Sequence, residues 1–267
     1  MAAGASAASA AVMSRAKGTS IALASLVIGV GSLLALVGFL FVGSFGIVDL
    51  GLGRGAALSL DAGLCLLFFL QHSGMIRERA RLGLARIVAP SLYRAAYAIA
   101  SGLALLALVV LWQPTGGWAL ASGGGAAWAS RAVFLLSVAG FVWAMRSLSL
   151  RDPFGVQGAV ARDVAQETAP SALRTTGAYR WVRHPLYLSA LVMIWSRPAP
   201  SADRLLFNAL WTGWIVVGSL LEERDLVRDL GDGYKDYRSR VPMLFPLRLS
   251  FRRSRRAGAA MRSTISP

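Results

Sequence analysis

Two stretches in the second half of the chain carry many side chains that can hold a charged organic molecule. The first stretch is residues 177–187, and the second begins at the pair Glu222 and Glu223. Arginine and histidine bind carboxylates, glutamate binds ammonium groups, and aromatic rings stack on flat bases or face cations. Because so polar a cluster is costly in an apolar chain unless it binds something, we interpret it as a binding site. Its residues are Tyr179, Arg180, Trp181, Arg183, His184, Tyr187, Glu222, Glu223, Tyr234 and Tyr237.

The combination of these side chains indicates a particular ligand. A molecule with an amine, a carboxylate, a purine and a positively charged sulfur would use all of them, and S-adenosylmethionine has this inventory. ATP fits less well, because neither a phosphate-binding loop nor an acidic metal-binding cluster accompanies the arginines. We therefore predict S-adenosylmethionine as the cofactor and no metal site.

The composition places this cluster in a membrane protein. Of the 267 residues, 55% are hydrophobic and only 15% are charged, and the mean hydropathy is +0.56. Soluble domains are rarely so apolar. Residues 18–48 and 95–130 contain no Asp, Glu, Lys or Arg, so each can hold the roughly 20 apolar residues of a spanning helix. Two further segments are predicted, near residues 56–76 and 126–146.

The last apolar stretch predicts a hairpin that brings the two polar stretches together. Residues 186–196 are too few to span, Pro198 and Pro200 then break the helix, and residues 205–221 are barely long enough. A helix-turn-helix hairpin that enters and leaves from one face, with a short or strongly tilted first arm, would place His184 and Glu222 together. We predict an all-α polytopic membrane bundle with about five to six transmembrane segments, this C-terminal hairpin and a cytoplasmic tail.

Glycines after the hairpin predict a lid over the pocket. Gly231 and Gly233 favour a break between Leu230 and Tyr234, which would fold the following residues back over the hairpin. If those residues are helical, Tyr234 and Tyr237 share a face.

The distribution of arginines predicts the orientation. The net charge is +15, and the arginines concentrate in residues 77–94, 146–183 and 248–262, whereas residues 113–130 contain no basic residue. The positive-inside rule places the three basic regions, both termini and the site in the cytoplasm. Membrane lipid explains the basic tail better than nucleic acid, which we do not expect as a partner.

Four regions follow from these features. We predict a disordered tail over residues 1–17, a four-helix membrane region over 18–150, a cofactor-binding region over 151–246 and a basic disordered tail over 247–267. Asp61 is expected to pair with Arg54 or to serve as a polar group within its helix. His72 is expected either to cap the second segment or to line the substrate entrance, with Gln71 and Ser73 beside it.

The polar stretches resemble a known family over roughly residues 174–246. Tyr179-x-x-Val-Arg-His-Pro-Leu-Tyr187, followed by Glu-Glu-x-x-Leu-x-x-x-x-Gly-x-x-Tyr-x-x-Tyr-x-x-x-Val-Pro over 222–242, is similar to the integral membrane methyltransferases of the isoprenylcysteine carboxyl methyltransferase type. The resemblance implies that S-adenosylmethionine binds on the cytoplasmic side, and that Arg228 and His184 act at the reacting centre. The implied cofactor-binding residues are Tyr179, Val182, Arg183, His184, Pro185, Tyr187, Glu222 and Glu223. Of the two glutamates, Glu222 is the expected binder, and its neighbour is expected to be solvated.

The first half resembles one branch of this family. Gln71-His-Ser-Gly-Met-Ile-Arg77, Leu92-Tyr-Arg94 and Tyr97 are similar to the bacterial NnrU-type branch, which includes the methanethiol S-methyltransferases. Two features depart from that branch: Ser149-Leu-Arg-Asp-Pro-Phe-Gly155 replaces a His-Phe-Asp-Leu-Phe-Gly stretch, and Ser189 replaces a glycine.

The branch implies S-methylation of a small thiol such as methanethiol in a bacterial inner membrane. Gln71, His72 and Tyr234 are the expected acceptor-site residues. A prenylated cysteine carboxylate, a phospholipid amine and a non-catalytic membrane role stay open as alternatives, and the sequence indicates no oligomeric state.

Overall fold

The computed structural model describes residues 2–116, 124–148, 152–161, 173–197 and 201–245, and all regular structure within these ranges is helical. The helices are α1 (Ala2–Val42), α2 (Arg54–Met75), α3 (Glu78–Leu84), α4 (Tyr93–Leu111), α5 (Gly125–Leu148), α6 (Val156–Ala161), α7 (Pro185–Trp195) and α8 (Ala202–Arg240), with short 3-10 turns at Pro90–Leu92 and Gly177–Arg180.

Five of the described helices are long and apolar enough to cross a membrane, and α7 is a shorter apolar helix. This confirms the predicted all-α polytopic bundle. The five segments are Ala16–Val42, Arg54–Met75, Pro90–Leu111, Gly125–Leu148 and Ala202–Arg240.

The N-terminal segment differs from the expectation. Helix α1 already begins at Ala2, although residues 1–17 were expected to form a disordered tail. The physical reason is the run of alanines, since alanine has the highest helix propensity of all residues. The basic tail expected over 247–267 lies outside the described residues.

The helices pack around an aromatic core at the contact of α2 and α8. The rings of Phe69 and Trp214 stack with centroids 4.6 Å apart, and those of Phe207 and Trp211 with centroids 4.9 Å apart. Elsewhere α1 and α4 approach closely at Gly102, where an added Cβ would lie 2.7 Å from Ile28 Cγ2. Small residues permit such contacts between membrane helices.

Polar contacts fix the beginning of α8 at the far ends of α1 and α4. Trp112 Nε1 donates to Asp203 Oδ2 at 3.0 Å, and Arg204 Nη2 donates to the carbonyl oxygen of Leu40 at 2.9 Å. The buried Arg204 thus satisfies a carbonyl that the end of α1 leaves without an intrahelical partner. The beginning of α8 therefore lies at the same level as the ends of α1 and α4, even though α7 has only 11 residues.

Asp61 has a different partner from the one expected. Its Oδ1 accepts a hydrogen bond from the backbone N–H of Gln113 at 2.9 Å. Arg54 is exposed two helical turns away, about 10 Å along α2, which is too far for a direct pair. Asp61 therefore agrees with the alternative expectation, because it is a polar group of its helix that bonds to the residue after α4.

The stretch that departs from the methanethiol branch anchors α6. Asp152 Oδ1 accepts from the N–H of Val156 at 2.7 Å, and its Oδ2 accepts from that of Gln157 at 2.9 Å. Phe154 covers α1 at Gly29, where an added Cβ would lie 2.5 Å from the ring. The Asp152 carboxylate therefore satisfies N–H groups in the first turn of α6, and the Phe154 ring packs on α1 beside it.

Candidate active site

A buried ion pair joins the two polar stretches. Arg183 Nε donates to Glu223 Oε1 at 2.7 Å, and Arg183 Nη2 donates to Glu223 Oε2 at 3.1 Å. The two side chains are only 8% and 5% exposed. Arg183 Nη1 also donates to the carbonyl oxygens of Arg238 and Val241. This bidentate geometry is the strong form of an arginine–carboxylate contact, and it locks the segment before α7 to α8.

His184 lies between the two glutamates. Its Nε2 is 3.0 Å from Glu223 Oε1, and its Nδ1 is 3.7 Å from Glu222 Oε2. The ring stacks on Tyr187, with centroids 5.4 Å apart and planes inclined by 19°. Tyr187 Oη in turn donates to Glu222 Oε2 at 2.9 Å. The hairpin therefore brings His184 and Glu222 together, as the sequence predicts.

The last part of α8, beyond Gly231, folds back over this network. Gly231 has φ 57° and ψ −134°, a conformation that interrupts α8 and that only glycine adopts readily. The break lies within the predicted interval between Leu230 and Tyr234. Beyond it, Tyr234 Oη donates to Glu223 Oε1 at 2.7 Å and Tyr237 Oη donates to the carbonyl oxygen of Tyr179 at 2.6 Å.

Backbone hydrogen bonds complete the lid. The N–H of Arg183 donates to the carbonyl oxygen of Pro242 at 2.9 Å, and that of His184 donates to that of Met243 at 3.1 Å. Leu244 then enters the hydrophobic core. The segment after α8 is thus tied to the Arg-His-Pro motif along its backbone.

The two glutamates have opposite surroundings. The side chain of Glu222 is 45% exposed, whereas that of Glu223 is 5% exposed. The expectation that the neighbour of Glu222 is solvated is therefore wrong. Consecutive residues of a helix point about 100° apart, and here Arg183, His184 and Tyr234 surround the second carboxylate.

Tyr179 borders the exposed carboxylate. Burial and the nearby Glu222 and Tyr237 raise the pKa of Tyr179 to about 12. Its hydroxyl therefore stays neutral near pH 7 and can donate a hydrogen bond. Arg180, next to it, is exposed.

Val182 and Pro185 lie on the other side of the motif, away from the ion pair. They border a partly open apolar cavity of about 230 Å³ between α5 and α7. Ser189, which departs from the expected glycine, faces Gly140 there, and a Cβ added to Gly140 would lie 3.1 Å from Ser189 Oγ. The cavity is lined by Gly140, Trp143, Ala178, Trp181, Val182, Pro185, Leu188 and Ser189.

Arg228 lies on an exposed face of α8 beside the end of α2. Its side chain is 69% exposed, with Nη1 3.2 Å from Asp225 Oδ1 and Nε 2.8 Å from Asp229 Oδ1. Asp225 Oδ2 also lies 3.6 Å from Arg77 Nη1. Asp225 therefore links Arg228 to the C-terminal end of α2.

The expected acceptor residues separate into two places. Tyr234 is 1% exposed and donates a hydrogen bond to the buried Glu223, so it stabilises the site from its buried side. Gln71 and His72 lie on α2, where Gln71 Nε2 donates to Ser101 Oγ at 3.2 Å. The buried Gln71 Oε1 has no hydrogen-bond partner among the described residues.

Aromatic rings surround His72. Its ring stacks on Phe68 at 5.2 Å and meets Trp214 edge-on at 5.6 Å, while Trp214 Nε1 donates to Ser73 Oγ at 3.0 Å. Sequence reasoning missed Ser101 and Trp214, because only the packing of α4 and α8 against α2 brings them to this position.

Comparison with known proteins finds relatives that share most of the chain. A methanethiol S-methyltransferase from Pseudomonas sp. is 38% identical over 196 residues, which are 72% of this chain and 74% of that protein. Methanethiol S-methyltransferase 2 from Bradyrhizobium diazoefficiens is 35% identical over 224 residues, or 80% of this chain and 85% of that protein. Human Nurim is 30% identical over 180 residues, 64% of this chain and 68% of its own length.

No family model and no solved structure matches the chain. The chain belongs to the methanethiol S-methyltransferase family, within the isoprenylcysteine carboxyl methyltransferase-like membrane proteins.

Proposed function

We propose that this protein transfers a methyl group from S-adenosylmethionine to a small thiol, methanethiol in the simplest case, giving dimethyl sulfide. The observation that carries the proposal is the exposed Glu222 carboxylate, held by Tyr187 beside the buried His184–Glu223 pair. It offers an anionic, aromatic-lined site in a chain whose relatives are named for this reaction.

The residues present fit the predicted cofactor. Glu222 has an exposed carboxylate for the ammonium group, and the rings of Tyr179 and Tyr187 beside it can face a purine or a sulfonium. Arg180 is exposed and can pair with the carboxylate of the cofactor, since Glu223 already occupies Arg183. We propose that Arg183, His184 and Glu223 contribute by fixing this surface, with Val182 and Pro185 as its apolar support.

The main task of the protein in this reaction is to align the acceptor with the methyl donor. S-adenosylmethionine supplies an already activated methyl group, so the chain must hold the acceptor sulfur in line with it. A thiolate is the reactive form of the acceptor, and a nearby cation favours it electrostatically. We propose Arg228 for that role, and its pairs with Asp225 and Asp229 would have to open for it to reach the acceptor.

We propose that the acceptor enters between α2, α4 and α8. The aromatic rings of Phe68 and Trp214 around His72 suit a small apolar molecule with one polar atom. The unpartnered Gln71 Oε1 offers this region a further hydrogen-bond acceptor. The basic regions support a location in the bacterial inner membrane, with the termini and the site in the cytoplasm.

One observation favours a lipid acceptor as a second candidate. The apolar cavity of about 230 Å³ lies beside Pro185 and is partly open, as a binding place for a prenyl or acyl chain would be. The relatives named for methanethiol weigh against this candidate, because they cover most of the chain.

Two measurements on the purified protein in detergent test the proposal. Calorimetric titration should show binding of S-adenosylhomocysteine and none of ATP; a non-catalytic membrane protein would bind neither. Labelled S-adenosylmethionine is then offered with methanethiol, farnesylcysteine or phosphatidylethanolamine in parallel. Label that passes only into a lipid acceptor would refute the thiol assignment, and absence of cofactor binding would refute the whole proposal.

A further inference from the structure

The ring of His72 has a hydroxyl oxygen at each of its nitrogens. Tyr97 Oη lies 2.9 Å from Nε2 and 3.0 Å from Nδ1, and Ser101 Oγ lies 3.3 Å from Nδ1. A hydroxyl can donate to an unprotonated ring nitrogen or accept from a protonated one. Each ring nitrogen therefore has a hydroxyl oxygen within hydrogen-bond distance, whether the ring carries one proton or two.

The surroundings of His72 keep its resting state neutral. Phe68 and Trp214 cover the ring, and none of the contacts that the structure gives it is to a carboxylate. His184, in contrast, lies against Glu222 and Glu223. A lone positive charge among membrane helices is costly, so His72 rests as the neutral imidazole, the form that has a free nitrogen to accept a proton.

Tyr97 connects this ring to the proposed cofactor surface. Its hydroxyl bonds to His72 and lies within electrostatic range of the Tyr187 hydroxyl. Tyr187 in turn bonds to the exposed Glu222. The Tyr97 hydroxyl therefore bonds to the buried histidine and interacts electrostatically with a tyrosine of the surface that would hold the methyl donor.

We infer that Tyr97 and His72 form the proton acceptor for the thiol, an inference that rests on the proposed function. The acceptor sulfur forms its bond to the transferred methyl carbon while the bond from that carbon to the donor sulfur breaks, and this electron pair remains on the donor sulfur. The thiol proton passes to Tyr97 Oη as the hydroxyl proton of Tyr97 passes to His72 Nε2. His72 later releases its extra proton to water.

The charge balance favours this route. Before the reaction the site holds one positive charge, on the sulfonium, and a neutral His72. Afterwards both sulfur compounds are neutral and the single positive charge is on His72, with hydroxyl oxygens for both of its N–H groups. The reaction therefore creates no additional charge, and the hydroxyl oxygens beside His72 offset part of the cost of placing the existing charge on the buried ring.

Thiols of different acidity test this proton relay, the transfer from the thiol through Tyr97 to His72. We compare ethanethiol with 2,2,2-trifluoroethanethiol, which is similar in size but a stronger acid and needs less help to lose its proton. His72→Gln and Tyr97→Phe should lower kcat with ethanethiol on the order of 100-fold, as for loss of a general base, but by less than about tenfold with the fluorinated thiol. Ser59→Ala, which removes an exposed hydroxyl elsewhere on α2, should keep both rates within about threefold.

A second readout needs no turnover. The chain has two histidines, so ¹⁵N-histidine labelling gives two sets of ring signals, and the set lost in His72→Gln belongs to His72. Without cofactor, the more acidic 2,2,2-trifluoroethanethiol can remain as a thiolate beside protonated His72, an ion pair without net charge, and should move the His72 signals toward imidazolium values, whereas ethanethiol should not.

The outcomes separate the relay from the proposed function. Equal rate losses with the two thiols, or His72 signals that stay neutral with the fluorinated thiol, would overturn the relay while methyl transfer to thiols stood. A wild-type protein that methylates neither thiol would overturn the proposed function, and the ¹⁵N signals would still decide whether His72 takes a thiol proton. Binding of S-adenosylhomocysteine by each variant shows that it is folded.

Discussion

Glu222→Gln and Glu223→Gln should separate binding from stability at adjacent positions. Both changes replace one carboxylate oxygen by an amide nitrogen at almost constant shape. Glu223 is buried against Arg183, His184 and Tyr234, whereas the side chain of Glu222 is 45% exposed. The pair is therefore a matched test in which each variant controls for the other.

The structure gives the size of the expected effect. In Glu223→Gln the buried Arg183 loses the charge at 2.7 and 3.1 Å from its guanidinium. Breaking a buried ion pair on one side typically costs about 3–5 kcal/mol. Arg183 keeps its bonds to the carbonyl oxygens of Arg238 and Val241, so we expect the lower end, about 3 kcal/mol of the free energy of unfolding.

Cys65 provides the assay. It is the single cysteine of the chain and is fully buried, so a thiol-reactive dye labels it only when the bundle opens. When opening and closing are fast relative to labelling, the labelling rate follows the population of the open form. A loss of about 3 kcal/mol then raises that rate about 150-fold.

Glu222→Gln should behave in the opposite way. Because its side chain is largely exposed, the labelling rate of Cys65 should change less than about threefold. Its affinity for S-adenosylhomocysteine should fall about tenfold, as for the loss of one charged hydrogen bond. Equal labelling rates in the two variants, or a stable Glu223→Gln protein that loses only ligand binding, would refute the division of roles.

Three further variants test other parts of the account. Gly231→Ala forces a side chain into φ 57°, ψ −134° and should lower the free energy of unfolding by about 2 kcal/mol. Gly233→Ala, where an added Cβ meets nothing within 4 Å, should leave it unchanged. Equal Cys65 labelling rates in the two variants would contradict the requirement for glycine at the break in α8. Trp112→Phe removes the hydrogen bond to Asp203 Oδ2 and should lower the free energy of unfolding by about 2 kcal/mol. Its affinity for S-adenosylhomocysteine should not change, and a weakened affinity would show that the far end of the bundle is coupled to the site. Arg228→Ala should lower turnover about tenfold and leave that affinity within twofold, whereas unchanged turnover would remove Arg228 from the reacting centre.

The sequence predicts those features that depend on local chemistry. Uncharged runs mark the long helices, and the predicted interruption near Pro198 and Pro200, which lie outside the described residues, agrees with the end of α7 at Trp195 and the beginning of α8 at Ala202. Gly231 marks the break in α8, because a backbone with positive φ requires a residue without Cβ. The meeting of His184 and Glu222 follows from the hairpin alone, and the structure shows it.

Features that depend on packing between distant segments cannot be predicted from the pattern of residue types in the sequence. Which glutamate is buried depends on the rotation of α8 against Arg183, and two adjacent acids look alike in a sequence. Asp61 meets the backbone of Gln113 only because the first turns of α2 lie level with the end of α4. Ser101 reaches His72 for the same kind of reason, across the contact of α2 and α4.

One measurement tests the central claim most directly. Purified protein is incubated with methanethiol and with S-adenosylmethionine that carries a trideuterated methyl group, and the headspace is analysed by mass spectrometry. We predict dimethyl sulfide three mass units heavier than the unlabelled compound, formed by the wild type and reduced in Glu222→Gln. Unlabelled or absent dimethyl sulfide from a protein that binds S-adenosylhomocysteine would contradict methyl transfer to a small thiol.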